Sequence, residues 1–222
     1  TEMPLVRPPA GLRICLIDRQ DAPQSQVRFG SIGPRRSNQD LYAIELMNTV
    51  LGGAFSSRLN LNLREDKGYT YGASSMFAYG RRLGFWAAGA GVQTQFTCET
   101  LLEFRKEVRQ IRDERMITAD ELEIAKTNLI RGFAQRFETL GRLVDQIVDV
   151  VSFDLPLEDI QQYPQSMENV SLEESREAAR KYLTPDDAVA VIVGDRKKIE
   201  QPIRELNLGE VLVMNARGER VQ

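Results

Sequence analysis

The chain of 222 residues contains no histidine. A catalytic zinc site normally draws on imidazole nitrogen. Serine and cysteine hydrolases of the common kind need an imidazole as base. Neither chemistry can be built from this chain alone. Cysteine is nearly as scarce: Cys15 and Cys98 stand far apart and form no Cys-x-x-Cys pair. They read as two thiols packed as small apolar groups rather than as a metal knuckle or a disulfide. There is no excess of positive charge either. The formal net charge is −3, which argues against a nucleic-acid partner, because phosphate binding needs a basic surface. The longest apolar run, residues 188–193 (AVAVIV), is too short to cross a bilayer. Residues 1–10 (TEMPLVRPPA) are proline-rich, show no secretory signal, and read as a linker to something upstream.

Nucleotide motifs are missing as well. No Gly-Lys-Ser/Thr occurs, so there is no Walker loop. Gly89-Ala90-Gly91 lacks the third glycine of a dinucleotide fingerprint and falls inside a strand pattern. The pairs Glu65-Asp66, Glu173-Glu174 and Asp186-Asp187 are adjacent in sequence. Neighbouring helical residues diverge, so these read as solvated charge or helix-end devices rather than acid–base pairs.

What is present suits a globular domain. Apolar residues make up 42%, enough to fill a core, and charged residues 27%, near the average for soluble domains. Residues 12–17 and 25–32 read as strands separated by a polar turn. Asn38 opens a helix to about residue 51, with Leu41, Ile44, Met47 and Leu51 on one face, and Gly52-Gly53 breaks it. A short helix over 56–66 follows, with Phe55, Leu59 and Leu63 aligned, and Gly68 stands at its left-handed cap. Residues 69–79 and 83–92 form a hairpin around Gly80-Arg81-Arg82, and the small residues from Ala87 to Gly91 leave room for a helix to pack closely. Leu101, Phe104, Val108 and Ile111 make one helical stripe; Thr118/Glu121 and Ser171/Glu174 are capping boxes that open two further helices. Leu140, Leu143, Val144, Ile147 and Val151 continue the helical pattern until Leu155-Pro156. Residues 188–193 read as a central strand; a helix with Ile199, Ile203 and Leu206, then a strand over 211–214, complete the chain. This order predicts an α+β fold, a two-layer sandwich with helices on one face of a mixed, mostly antiparallel sheet. No internal repeat and no linker after residue 10 is visible, so residues 11–222 read as one domain.

One stretch carries a specific signal. Gly52-Gly53-Ala54-Phe55-Ser56-Ser57-Arg58-Leu59 is followed by Leu63-Arg64-Glu65-Asp66-Lys67-Gly68-Tyr69-Thr70-Tyr71-Gly72. It resembles the C-terminal, non-zinc-binding half-domain of the pitrilysin/insulinase family of zinc peptidases, which includes the mitochondrial processing peptidases. The resemblance covers nearly the whole chain after residue 10. The catalytic half of that family carries His-x-x-Glu-His, which is absent here. The resemblance therefore implies a half that contributes an arginine and a tyrosine to a composite site, by motif position Arg64 and Tyr71. Zinc is expected on a histidine-bearing partner half, in the same longer chain or a separate subunit, and none in this one. The implied substrate is unfolded peptide. Arg64 would hold a substrate carbonyl, and the Tyr71 hydroxyl would donate to the developing oxyanion.

Two alternatives stay open: a proteolytically inactive scaffold of the same fold, and an unrelated binding module with a similar two-layer architecture. The glycine-rich loop of the substrate-recognising mitochondrial subunit is not visible. A free half could pair with itself as a two-fold homodimer through the face it would otherwise offer its partner. Many members of the family work in the bacterial periplasm, which is the setting the resemblance suggests.

Overall fold

The computed structural model describes residues 6–221. Of the segment read as a linker, residues 1–5 lie outside the described residues, and residues 6–10 carry no helix or strand.

Six strands form one sheet: β1 (Leu12–Asp18), β2 (Gln24–Gly33), β3 (Thr70–Ala78), β4 (Gly84–Gln93), β5 (Val189–Gly194) and β6 (Gly209–Met214). Their order across the sheet is β3-β4-β2-β5-β1-β6. The β3–β4, β4–β2 and β2–β5 pairs are antiparallel, while β5–β1 and β1–β6 are parallel. The α+β reading and the mostly antiparallel mixed sheet hold. The AVAVIV strand is central, between β2 and β1.

Alternation sets the inner face. Leu12, Ile14 and Leu16 of β1, Val27 and Phe29 of β2, Trp86, Ala88, Ala90 and Val92 of β4, and Ala190 and Ile192 of β5 are all buried. Successive strand residues point to opposite faces, so these form one apolar layer. Against it pack α1 (Leu41–Asn48), α3 (Thr97–Arg112), α4 (Ala119–Phe133), α7 (Leu172–Tyr182) and α8 (Arg196–Glu205), with the short α2 (Arg58–Asn60) at one end. The α3 stripe of Leu101, Phe104, Val108 and Ile111 is wholly buried. Both capping boxes form: Thr118 accepts from the Glu121 N–H, and Ser171 from the Glu174 N–H.

The small residues of β4 divide their work. Ala88 and Ala90 face the helices, whereas Gly89 and Gly91 lie under the Arg28 and Gln26 side chains on the other face, where a Cβ would come within 2.5 and 2.6 Å of those groups.

Other expectations need correction. Asn38 does not cap α1. Asp40 occupies the N-cap position, and the Asn38 side chain accepts the Asp40 N–H at 2.7 Å in a turn before it. The helix does not stop cleanly at Gly52 but widens into a π-type turn, Thr49–Gly53. Between α5 (Leu140–Phe153) and α7 lies a helix the sequence pattern did not suggest, α6 (Glu158–Asn169), with Pro164 inside it. Proline removes a helical hydrogen bond. Here the helix is anchored by buried Tyr163 and Met167, and Glu158 and Asp159 favour its N-terminus. Among the described residues no helix is long and apolar enough to cross a membrane.

Candidate functional site

The Gly52–Gly72 stretch forms one corner between the helical layer and the edge strand β3. The π-type turn ending at Gly53 presses directly on β3. A Cβ at Gly52 would sit 2.4 Å from Ser75 Oγ and 2.5 Å from Ser75 N. That close approach lets Asn48 reach the strand. Its amide donates to Ser75 O at 3.1 Å, and its Oδ1 accepts from Ser75 Oγ at 2.7 Å and Trp86 Nε1 at 3.2 Å. Asn60 makes a matching clamp, accepting the Ala73 N–H at 3.1 Å and donating to Phe55 O at 2.7 Å. These side chains occupy backbone groups that an edge strand otherwise leaves open.

α2 begins after Ser57 at its N-cap position and runs into a second π-type turn, Leu61–Asp66. Leu59 and Leu63 are fully buried and hold it to the core. Arg58 is buried and forks onto Glu121 at 2.7 and 2.6 Å, with further bonds to the carbonyls of Arg115 and Met116. Burial alone would raise the Glu121 carboxyl; the Arg58 guanidinium and the Thr118 N–H hold it below the usual carboxylate range instead.

Arg64 sits in the last turn of this segment and stays partly exposed. Its Nε lies 3.2 Å from Glu65, and its guanidinium stands 4.6 Å from the centroid of the Phe55 ring. This corrects the expected alignment of Phe55 with Leu59 and Leu63. Phe55 precedes the Ser57 cap, so helical spacing does not apply to it, and it is 67% exposed. Its ring is a surface platform for Arg64. Gly68 adopts φ +65°, as its position at the cap requires, and the Tyr69 N–H returns to Leu63 O at 2.9 Å.

The chain then enters β3 through a bulge. Pairing with β4 slips between Thr70 and Ala73. Thr70 Oγ1 bridges the irregularity, donating to Gly91 O at 2.7 Å and accepting the Gly72 N–H at 3.1 Å. Tyr71 lies within the slip and is 92% exposed. Bulges re-aim side chains, and here the result is a tyrosine that packs on nothing. Tyr69, two residues earlier, instead stacks on Phe96 with centroids 4.4 Å apart. Arg64 and Tyr71 thus stand on either side of Gly68 along the chain, Arg64 against Phe55 and Glu65 and Tyr71 in solvent, and no hydrogen bond joins them.

A second constellation escaped the sequence reading. Arg36, Glu45, Tyr79, Arg136, Asp159 and Tyr163 surround a cavity of about 420 Å³ roofed in part by α5. Tyr163 donates to Glu45 at 2.8 Å and accepts from Arg136 at 2.7 Å; Arg36 pairs with Asp159 at 3.2 Å. Desolvation pushes the Glu45 carboxyl up, and the Tyr163 bond offsets only part of that. These residues come from α1, α6, the turn after α4 and the connections between elements, so no local motif announces them.

The donor set does not fit a zinc ion. Among the described residues no three His, Cys, Asp or Glu side chains are gathered as a metal would need. Cys15 is buried and free; burial raises the Cys98 thiol to about 11. Neither thiol is placed for coordination or nucleophilic attack.

The sheet, its helical layer and the motif corner define a two-layer α+β fold, and among the described residues no metal-ligand cluster forms. Residues 2–129 match the family described as Peptidase M16 inactive domain, and the chain belongs to that family. It is 27% identical over 182 residues to the non-peptidase homolog YmxG of Helicobacter pylori, covering 81% of this chain and 41% of that protein. It is 29% identical over 206 residues to the uncharacterized zinc protease Mb2805c of Mycobacterium bovis, covering 87% of this chain and 44% of that protein. The crystal structure of a peptidase M16 inactive domain from Pseudomonas fluorescens superposes with a TM-score of 0.75 at 24% identity, covering 87% of this chain and 46% of that one. The chain therefore spans less than half the length of these relatives.

Proposed function

We infer that residues 11–222 act as the non-metal-binding half of a zinc endopeptidase, supplying Arg64 and Tyr71 to a peptide-cleaving site completed by a His-x-x-Glu-His half. The observation that carries this reading is Tyr71. A tyrosine held 92% exposed on a strand bulge, its ring packed on nothing, contributes little to the fold. Its hydroxyl is free to meet something outside the chain.

The exposed corner supports the following roles. Zinc on the partner half would polarise the scissile carbonyl and activate water. The Tyr71 hydroxyl donates a hydrogen bond to the oxygen that gains charge, an interaction that strengthens toward the transition state. Arg64, steadied over Phe55 and against Glu65, presents its remaining N–H donors to a substrate backbone carbonyl. The Asn48 and Asn60 clamps fix the corner on β3, so both groups stand on a rigid support. The matching substrate is a peptide in extended form. The partner half lies on the same longer chain or on a separate subunit, and the bacterial periplasm is the setting this reading favours.

A second reading is an inactive scaffold of the same family, favoured by the H. pylori relative being named a non-peptidase homolog. Peptide hydrolysis separates the two. The chain is assayed alone and mixed with a histidine-bearing zinc half, as wild type, Arg64→Ala and Tyr71→Phe. The composite site requires cleavage only in the mixture, with kcat lowered about 10²–10³-fold by Tyr71→Phe, the usual cost of one oxyanion donor. An active mixture indifferent to both substitutions assigns the chain to the scaffold reading.

A further inference from the structure

The cavity around Glu45 holds charges that the chain does not pair. Arg36 and Asp159 answer one another at 3.2 Å. Arg136, Glu45 and Asp149 line the same space and form no ion pair among the described residues. Tyr163 stands between the first two: its hydroxyl accepts from Arg136 Nη2 at 2.7 Å and donates to Glu45 Oε2 at 2.8 Å. It separates a cation from a carboxylate and neutralises neither. Both keep free capacity. Glu45 Oε1 and the other N–H groups of Arg136 bond nothing among the described residues, and none of these atoms is sealed in the wall. The guanidinium is also held in place. It stands 4.2 Å from the centroid of the Tyr163 ring and 5.8 Å from that of Phe133, and those two rings stack with centroids 5.0 Å apart. Much of the remaining lining is apolar, through Val150, Phe153, Leu155 and Ile160.

We propose that this cavity binds a free α-amino acid with an apolar side chain, its carboxylate forked onto Arg136, its ammonium group on Glu45 and Asp149, and its side chain among Val150, Phe153 and Ile160. The unpaired charges select a zwitterion. An anion alone would answer Arg136 but face two carboxylates; a cation alone would leave the guanidinium without a partner. A desolvated charge is costly until it is paired. An α-amino acid carries its two charges one carbon apart, which suits a cation and a carboxylate that share one hydroxyl. The guanidinium fork matches a carboxylate in two parallel bonds. An ammonium group beside Glu45 would offset the desolvation that pushes its carboxyl up. The volume of about 420 Å³ lies near the lower end of small-molecule pockets, about 300–1,000 Å³. α5 supplies the way in. None of its residues is buried, Leu140, Val144, Ile147 and Val151 face outward, and Arg81 fastens its C-terminal end at the Ser152 carbonyl, so the roof can lift without opening the core.

Neither Arg64 nor Tyr71 lines this cavity, and the test needs no zinc-bearing half. Isothermal titration of the full chain with L-leucine is compared with N-acetyl-L-leucine, which lacks the ammonium charge, with L-leucinamide, which lacks the carboxylate, and with glycine, which lacks the side chain. The L-leucine titration is repeated on Glu45→Gln and Arg136→Gln, with circular dichroism confirming that each is folded. The expected result is L-leucine bound with a Kd of about 1 mM or tighter. Each analogue and each variant should raise that Kd at least about tenfold, because a charge-assisted bond or the apolar burial is lost. The analogue titrations use wild-type protein, so their outcome does not depend on a variant folding. No binding of L-leucine at about 10 mM overturns the proposal and leaves the cavity to water. N-acetyl-L-leucine bound as well as L-leucine overturns it in favour of an anion site, and L-leucinamide bound as well in favour of a cation site. Glycine bound as tightly as L-leucine, or a folded Glu45→Gln or Arg136→Gln protein with the wild-type Kd, overturns it too.

Discussion

Substituting Gly52 by alanine tests the claim that close backbone approach builds the site corner. The added Cβ would lie 2.4 Å from Ser75 Oγ, 2.5 Å from Ser75 N and 2.8 Å from Ser75 Cβ, where ordinary contacts begin at 3.4 Å. The offending atoms include strand backbone, so a rotamer change cannot relieve the clash. The turn and β3 must separate by about 1 Å, which costs about 1–3 kcal/mol as overpacking. The same movement stretches the Asn48–Ser75 bonds, worth about 1 kcal/mol each. Alanine recovers about 0.5–1 kcal/mol of backbone entropy in a helical turn, which offsets only part. The net expectation is a loss of about 1–3 kcal/mol, or roughly 2–4 °C in Tm per kcal/mol for a chain of this size. Gly53, one residue on, is the control. Its Cβ would meet Asn48 at 3.2 Å from an exposed position, so Gly53→Ala should stay within about 0.5 kcal/mol. Denaturant unfolding followed by Trp86 emission reads both, since Trp86 is the only tryptophan and its indole bonds Asn48. A Gly52→Ala protein with the wild-type midpoint and emission, or a Gly53→Ala protein that is the worse of the two, refutes the reasoning.

Two further outcomes follow from the buried charges. Arg58→Ala should destabilise by about 2–4 kcal/mol in urea titrations, because Glu121 is left partly buried without its fork and two carbonyls lose their donor; a loss below about 1 kcal/mol would show the pair to be dispensable. Glu45→Gln should stabilise the protein at neutral pH. The folded carboxyl titrates above its unfolded value, so its cost to stability is full above the folded pKa, declines as pH falls below it, and is gone only below the unfolded pKa. The variant's advantage should therefore shrink on acidification, and a gain that grows toward low pH would contradict it.

Local chemistry was legible directly. The missing histidine settled that no imidazole-based centre could exist in this chain. Strand alternation, two capping boxes and the Gly68 cap predicted most elements, because each reflects forces acting within a few residues. The motif around Arg64 and Tyr71 was visible as a pattern, and the family match agrees with the resemblance it carried.

Other features depend on what comes together in space. Strand order is one: β5 pairs with β1 and β2 from more than 150 residues away, and nothing within β5 says whether a neighbour runs parallel or antiparallel. The exposure of Tyr71 is another, since it follows from how Thr70 and Gly91 resolve a slipped register, not from the strand-forming residues around it. α6 formed despite Pro164 because Tyr163 found Glu45 and Arg136 across the fold. The stripe on α5 marks the limit most clearly. Periodicity revealed that one side of that helix is apolar, but a helical pattern records only which residues share a face. Whether that face meets the core or the solvent depends on where the rest of the chain runs, and here it turns outward.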